Sequence, residues 1–503
     1  MSVLNFLIKR NFLRFYPRVN RAKTKPLELQ EKTFNRLISR AKKTDFGKKH
    51  DFKNIKTYSD YTRNVPIASY NDLKGDIERM MLGEKNVLWP GRTKWFSKSS
   101  GTTSDKSKFI PISYASLHLC HLRGGLYLLS NYFKLFPKSK MFKGKSLALG
   151  GSKQKNDINP KAITGDLSSI LIANTPFWVE SFRTPHKSIA LMEDWDEKLE
   201  LMARSIMDQD VTNLSGVPSW MLILLKRIIE IKGVKTINEV WPNLELFLHG
   251  GVNFAPYVEQ FNAIVEPGSM FYLNAYNASE GFFAFQDTKE SDDMLLLPNV
   301  GVFYEFIRPD ELGSSNAKAV SLADVELNTN YAILISTNAG LWRYIIGDTV
   351  MFTNLHPFRI KITGRTANFI NAFGEEVIME NAEKAISEAC KITNAKVSEY
   401  TAGPIYQSDH SKAAHEWLIE FEQEPQDMAL FEEILDKTLK SVNSDYEAKR
   451  ASDILLQKPI IRVMPQGTFL KWMKERNKLG GQYKVPRLAN NRKHIEEILK
   501  LNE

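Results

Sequence analysis

Cysteine is nearly absent. Cys120 and Cys390 are the only two in 503 residues, and they lie far apart. A disulfide framework is therefore excluded, and the usage fits a reducing compartment. No Cys/His spacing reads as a zinc site, and the nine histidines are scattered without a His-Glu-x-x-His pattern. Long apolar runs are missing too, so no membrane span is expected. A signal peptide would put its charges first and end in small residues. The stretch Met1–Arg10 instead carries Lys9 and Arg10 after its apolar residues. A cytoplasmic protein is expected. The common nucleotide fingerprints are also lacking. Gly144-Lys145-Ser146 has the end of a Walker A loop, but Ser139 stands where the first glycine is required. No Gly-x-Gly-x-x-Gly occurs, which leaves a Rossmann dinucleotide site without an anchor.

The rest of the composition is that of a globular chain, 43% hydrophobic and 25% charged, long enough to bury more than one core. Acidic residues are scarce only at the start. Residues 1–60 hold 16 Lys/Arg against 5 Asp/Glu, a net of +11; the remainder holds 52 against 53, a net of −1. Leu4, Leu7, Ile8, Phe12, Phe15 and Tyr16 recur there at helical spacing, among Lys9, Arg10, Arg14 and Arg18. Two readings follow. One is an amphipathic helix on anionic lipid or nucleic acid. The other, favoured here, is a surface helix packed on its own domain, because a nucleic-acid binder spreads its basic residues over a continuous face.

What the chain does have is a hydroxyl-rich run, Ser97-Lys-Ser-Ser-Gly-Thr-Thr-Ser-Asp-Lys-Ser-Lys-Phe-Ile-Pro111. Gly101 lets the backbone turn sharply and approach a ligand. Ser99, Ser100, Thr102 and Thr103 offer hydroxyls and backbone N–H groups that curl into an anion-holding nest. Lys106 and Lys108 add positive charge. This is the chemistry of a triphosphate cradle, although a solvent loop has the same composition.

Helical and strand-like segments alternate along the chain. The spacing predicts helices over 27–44, 113–136, 195–208, 220–231, 380–390 and 428–441, with Ser113 as an N-cap. Strands are expected at 146–150, 244–249, 270–274, 301–307, 331–337 and 415–423. Strands running into polar turns suit an open α/β sheet, which presents ligands at the carboxyl ends of its strands.

Three further segments carry chemistry. In Asn274-Ala-Tyr-Asn-Ala-Ser-Glu-Gly281, Tyr276 offers a flat face to a purine, Ser279 a hydroxyl to a phosphate, and Glu280 a hard oxygen to Mg²⁺. In Leu341-Trp-Arg-Tyr-Ile-Ile-Gly-Asp348, Asp348 is placed to accept both hydroxyls of a ribose, or is an ordinary turn residue. Arg343 is either a structural ion-pair partner or a substrate anchor. In Ile362–Glu376, Arg365 suits a ribose or phosphate contact, beside glycines fit for a tight hairpin.

Taken in order, these segments resemble the adenylate-forming superfamily of acyl-CoA synthetases, peptide-synthetase adenylation domains and luciferases. Within it they resemble the auxin-responsive Gretchen Hagen family of acyl acid amido synthetases. Ser99–Thr103 with Lys108 and Pro111 is similar to that family's phosphate loop. Tyr276-x-x-Ser-Glu280 and Arg343-Tyr-x-x-Gly-Asp348 are similar to its second and third motifs. Leu248-His-Gly-Gly251 resembles the segment lining the adenine pocket, which assigns Gly250 and Gly251 to the nucleotide. Gly467-Thr-Phe469 and Gly481-Gln-Tyr-Lys-Val-Pro-Arg487 resemble the carboxyl-terminal lid, with Lys484 as its mobile lysine. Thr44-Asp-Phe-Gly47 is similar to the family's N-terminal region, so the likeness runs from about residue 30 to the C-terminus. Asp105, Trp342 and Asn368 depart from the family pattern.

The resemblance implies an α/β fold, with a large adenylate-forming domain over 1–368 and a smaller, mobile α+β lid over 369–503. It implies ATP and Mg²⁺ as cofactors, and a carboxylic acid and an amine, most simply an amino acid, as substrates, with no nucleic acid. Lys484, Glu280 and Arg343 would be catalytic, with Glu280 holding the metal. Two alternatives are an acyl-CoA ligase working through the same adenylate, and a non-enzymatic basic membrane- or nucleic-acid-binding protein on a decayed adenylation fold.

Overall fold

The computed structural model describes residues 3–99, 108–150, 153–154, 159, 162–192, 195–251, 254, 257–312, 317–366, 369–370, 377–405, 413–443, 446–447, 450, 456–476, 485–489 and 491–501. Packing divides the chain into two units. The first takes in Met1–Gly101, Lys106–Ile346 and Val350–Lys361; the second takes in Thr102–Asp105, Gly347–Thr349 and Ile362–Glu503.

The first unit opens with helices Val3–Leu13, Tyr16–Thr24 and Pro26–Ala41. Proline begins the third, where its missing N–H costs nothing. Gln30, Thr33, Phe34, Leu37, Ile38 and Ala41 fall on its buried face. Gln30 ties that face to the strand Val302–Ile307: its amide donates to the carbonyls of Pro298 (3.0 Å) and Val302 (2.9 Å) and accepts from the Tyr304 N–H. The first helix packs on its own domain through Phe12, whose ring lies 5.4 Å from Phe142 and 5.7 Å from Phe133.

Among the described residues the main sheet has twelve strands. Its first half, in spatial order, is Arg183–Thr184, Lys145–Ala148, Val211–Gly216, Leu246–Gly250 and Phe271–Ala278, all parallel. That is a 2-1-3-4-5 order, reversing direction at Lys145–Ala148. Leu246 joins one core and Phe247 another, so both faces of this half are buried, as parallel strands require. The sheet continues antiparallel through Gly281–Gln286, Met294–Leu296 and Phe358–Arg365, then Tyr344–Leu355, Asn330–Thr337, Val302–Ile307 and Val320–Ser321.

The strand expected at 270–274 runs on to Ala278. Ser279–Glu280 form a two-residue turn, and Gly281–Gln286 returns beside it with Ala278 opposite Gly281. A second, four-stranded sheet pairs Trp95–Ser99 with Lys108–Ile112 and with Ile163–Gly165. Ser113 caps the next helix, accepting from the Ser116 N–H at 2.9 Å. That helix contains a π-helical stretch, Leu117–His121, before Leu122–Leu135.

In the second unit, helices Met379–Thr393 and Met428–Val442 pack on a sheet of Lys396–Ile405, Ala414–Gln423 and Ile460–Met464. Helices Thr468–Glu475 and Lys493–Lys500 close a smaller core around Trp472 and Ile495. Among the described residues of the whole chain, no helix is long and apolar enough to cross a membrane.

Candidate active site

The parallel strands of the first unit bring their carboxyl ends to one edge of the sheet, and Gly250, Gly251, Ser279 and Glu280 lie at those ends. Gly250 ends its strand where a Cβ would come within 2.3 Å of the Ala275 carbonyl oxygen on the next strand. Gly251 follows with φ +81, a left-handed conformation open to glycine. One strand further, Ser279 and Glu280 make the turn after Ala278, and both are largely buried.

The hydroxyl-rich run is rooted beside this turn. Ser99 and Lys108 face each other at the open end of an antiparallel pair. Ser97 Oγ lies 2.9 Å from Ser279 Oγ, both within the buried interior. The Lys108 ammonium sits 5.9 Å from the centre of the Tyr70 ring, and the Tyr70 hydroxyl accepts from the Phe109 N–H at 3.0 Å. Ser100, Gly101, Thr102 and Thr103 lie outside the described residues, as does Lys484.

Tyr276 is buried, its ring edge-on to Phe283 at 4.9 Å. Behind the turn packs the π-helical stretch. The Phe282 N–H reaches Cys120 Sγ at 3.2 Å, and a Cβ on Gly124 would stand 2.3 Å from the Phe282 ring. His121 Nδ1 is 3.0 Å from Asn277 Oδ1. With that oxygen accepting, Nδ1 carries the hydrogen and Nε2 is left as a buried acceptor with no partner among the described residues. Burial lowers the His121 pKa to about 4, against the pull of Asn277. His249, stacked on Phe254 at 4.4 Å, is likewise lowered to about 4 by burial, and its Nδ1 has no partner among the described residues. Ser97, His121 and Asn277 were not singled out from sequence. The spacing of His118 and His121 in a helix that reads as ordinary core carries no signal of a π-helical stretch.

Of the two roles open to Arg343, the ion pair is the one realised. Its guanidinium meets the Glu305 carboxylate at 3.0 Å through Nε and again through Nη2. Nη1 donates to the carbonyls of Val65 (2.9 Å) and Thr62 (3.4 Å). Tyr58 donates to the same carboxylate at 2.9 Å. Both ionic side chains are buried, and burial pushes the Glu305 carboxyl upward while Arg343 pulls it back. Arg343 itself has φ +44, so its backbone is held where few non-glycine residues sit. The guanidinium is thus engaged by Glu305 and two backbone carbonyls, and it fixes the strand that follows.

The second unit carries Asp348 and Arg365. Asp348 is half-buried and follows Gly347, which has φ +92 and accepts from the Thr366 N–H at 2.8 Å. Arg365 closes its strand beside Gly364. Further on, Glu420 holds the Gly467-Thr-Phe469 segment, accepting from the Gly467 N–H (3.0 Å) and the Phe469 N–H (3.2 Å). Just beyond Lys484, the chain is fastened to the sheet. Ala402 exchanges backbone hydrogen bonds with Arg487 (2.8 Å) and Ala489 (3.0 Å), and the Arg487 side chain pairs with Glu399 and covers Tyr400 at 4.5 Å.

No cluster of three or more His, Cys, Asp or Glu able to hold a metal occurs among the described residues. Glu280 at the turn is a single carboxylate, the kind of ligand that Mg²⁺ takes alongside substrate phosphates. The comparison with known proteins agrees with the fold. The GH3 family N-terminal domain matches residues 16–269, the central domain 294–365 and the C-terminal domain 380–493.

The chain belongs to the GH3 family.

Its GH3 relatives include amido synthetases and other ligases. The indole-3-acetic acid-amido synthetase GH3.4 of Arabidopsis thaliana is 24% identical, over 95% of this chain and 91% of its own. The jasmonoyl–L-amino acid synthetase JAR4 of Nicotiana attenuata is 21% identical, over 92% of this chain and 90% of its own. Among solved structures, the Arabidopsis GH3.15 acyl acid amido synthetase in complex with 2,4-DB superposes with a TM-score of 0.79 at 16% identity, covering 98% of this chain and 96% of its own. A 2-hydroxyisobutyryl-CoA ligase reaches 0.62 at 12% identity, covering 96% and 93%. The fold is thus the adenylate-forming one, and the GH3 chain described here is a ligase.

Proposed function

We propose that this GH3 protein activates a carboxylic acid with ATP as an acyl-adenylate and passes the acyl group to the amine of an amino acid, giving an amide. The observation that supports this most is the contact of Ser97 with Ser279. It joins the root of the phosphate loop to the turn carrying Glu280, which supports a triphosphate held between hydroxyls and a hard carboxylate. In this reading Ser99–Thr103 and Lys108 bind the phosphates, Gly250, Gly251 and Tyr276 receive the adenine, and Asp348 and Arg365 take the ribose. Glu280 would hold Mg²⁺, which offsets phosphate charge when bound.

The chemical task of these residues is to bring two anions together. The acid's carboxylate must approach the α-phosphorus in line while pyrophosphate leaves; the amine then attacks the activated carbonyl and AMP leaves. Positioning supplies much of the rate, and fixed charge and N–H donors stabilise the transition state where negative charge accumulates. Residues 369–503 act as a mobile lid that brings Lys484 to the first step and withdraws it for the second. Arg343 enters as a positioning residue rather than a catalytic one. The protein works in the cytoplasm.

Pyrophosphate release, screened over a matrix of carboxylic acids and amino acids, tests the reading. Release that requires an acid, with amide formed only when an amino acid is added, is expected. Product formed with CoA but with no amino acid would make the protein an acyl-CoA ligase instead. Failure of ATP to raise the thermal stability would favour the non-enzymatic alternative. Glu280→Ala should abolish release while the fold persists; near-normal turnover in that variant would remove Glu280 from the site.

A further inference from the structure

The catalytic reading leaves the basic N-terminus unexplained. Residues 1–27 contain seven Lys/Arg and no acid; the first carboxylate of the chain is Glu28. The structure sorts these cations by direction. Lys9 points inward, its ammonium donating to the carbonyls of Pro137 and Ser139. Lys23 also points inward, to the buried carboxylate of Asp287 at 2.7 Å. Together with the Phe12 aromatic contacts, these two pin helices Val3–Leu13 and Tyr16–Thr24 to the domain. Their outer face is therefore a fixed surface.

That face carries Phe6 and Leu7, 54% and 53% exposed, with Arg10 one turn on. Arg14 and Arg18 continue it, both exposed. Among the described residues Arg14 bonds only the Asn11 amide oxygen (3.1 Å), and the Arg18 guanidinium rests 5.3 Å from the Phe15 ring. None of these three arginines has a carboxylate partner among the described residues. Arg21 and Lys25 differ in having a carboxylate partner, Glu28, although they share it with Lys32. The cations that have no carboxylate partner among the described residues thus lie next to the exposed apolar pair.

We propose that this face is a docking surface for anionic lipid membrane. Three arginines without counter-ions match lipid phosphates and the negative potential of a charged leaflet. Phe6 and Leu7 enter the boundary between headgroups and acyl chains, where their exposure to water ends. A nucleic acid would satisfy the arginines equally well, but its backbone offers nothing to Phe6 and Leu7. The exposed apolar pair is what favours lipid.

Co-sedimentation of the full chain with phosphatidylcholine vesicles, with and without a phosphatidylserine fraction of about 30%, provides the test at roughly 0.1 M salt. Binding to the anionic vesicles alone is expected, weakening as salt rises. Arg10→Glu/Arg14→Glu/Arg18→Glu and Phe6→Ser/Leu7→Ser should each lower the bound fraction by roughly fivefold or more. All five side chains are exposed, so thermal unfolding should be unchanged, and pyrophosphate release should not depend on them. Absence of wild-type binding to anionic vesicles would overturn the proposal, as would binding indifferent to either variant. So would binding of duplex DNA that survives Phe6→Ser/Leu7→Ser and exceeds the binding to vesicles.

Discussion

Glu305 and Arg343 form a buried pair whose value lies in being complete. Removing one partner strands the other in the core, which typically costs about 3–5 kcal/mol. Arg343→Ala should therefore unfold at markedly lower denaturant than wild type, and Glu305→Leu/Arg343→Met should recover most of the loss. A stable Arg343→Ala protein that has lost only acid binding would instead make Arg343 a substrate anchor. His121 and His249 make a pH prediction. Their folded pKa values, about 4, lie below the ordinary 6.5, so the unfolded chain takes up protons first as pH falls. Their contribution is fully present above about pH 6.5 and is lost as pH drops towards 4, on the order of 3 kcal/mol per group at most. His121→Asn should flatten the loss of thermal stability between pH 7 and 5 relative to wild type; an unchanged slope would mean that His121 does not titrate on unfolding. The sequence made Glu280, Ser279 and Asp348 legible because each stands beside a glycine or a turn after an apolar run. It did not reveal Glu305, because no pattern links that position to Arg343, 38 residues later. The pair exists only after Val302–Ile307 and the segment before Tyr344 are brought together in the sheet.

The π-helical stretch and its helix show how one element shapes the turn at Glu280. Gly124 faces Phe282 with no room for a methyl group, while Gly125 has nothing within 4 Å of a Cβ. Gly124→Ala should therefore destabilise by about 1–3 kcal/mol and displace the turn, lowering pyrophosphate release. Gly125→Ala, on the same helix, should be neutral or stabilising by up to about 1 kcal/mol, since alanine is the better helix former. Equal effects at the two positions, in calorimetry and in turnover, would refute this packing argument. The six helical spans expected from apolar periodicity all form, within a few residues of their expected ends, but helices such as Tyr70–Leu82 and the parallel strand Val211–Gly216 lay outside the expected spans. The hairpin around Ser279–Glu280 could not be read in this way. Tyr276 and Asn277 look like a polar exit from a strand, and only pairing with Gly281–Gln286 keeps them in the sheet.

For the whole molecule, the order of motifs was legible where their spatial relation was not, since Lys484 stands almost four hundred residues beyond the phosphate loop. The residues after it are fastened to the sheet of the second unit through Arg487 and Ala402. Arg487→Ala should accordingly weaken the support of Lys484 and slow pyrophosphate release, with less effect on overall stability than the loss of Arg343. The two-step account depends most directly on the separate rates of the two half-reactions. These are read by rapid quenching, as acyl-adenylate appears from acid and ATP and as it disappears when amine is added. A positioned charge lost at a transferring phosphoryl group costs about 3 kcal/mol or more, roughly a hundredfold in rate. Lys484→Ala should slow the appearance of adenylate by at least about that factor and leave its consumption by amine within a few-fold of wild type. Equal losses in both steps, or none in either, would contradict a lid that serves one step and leaves for the other.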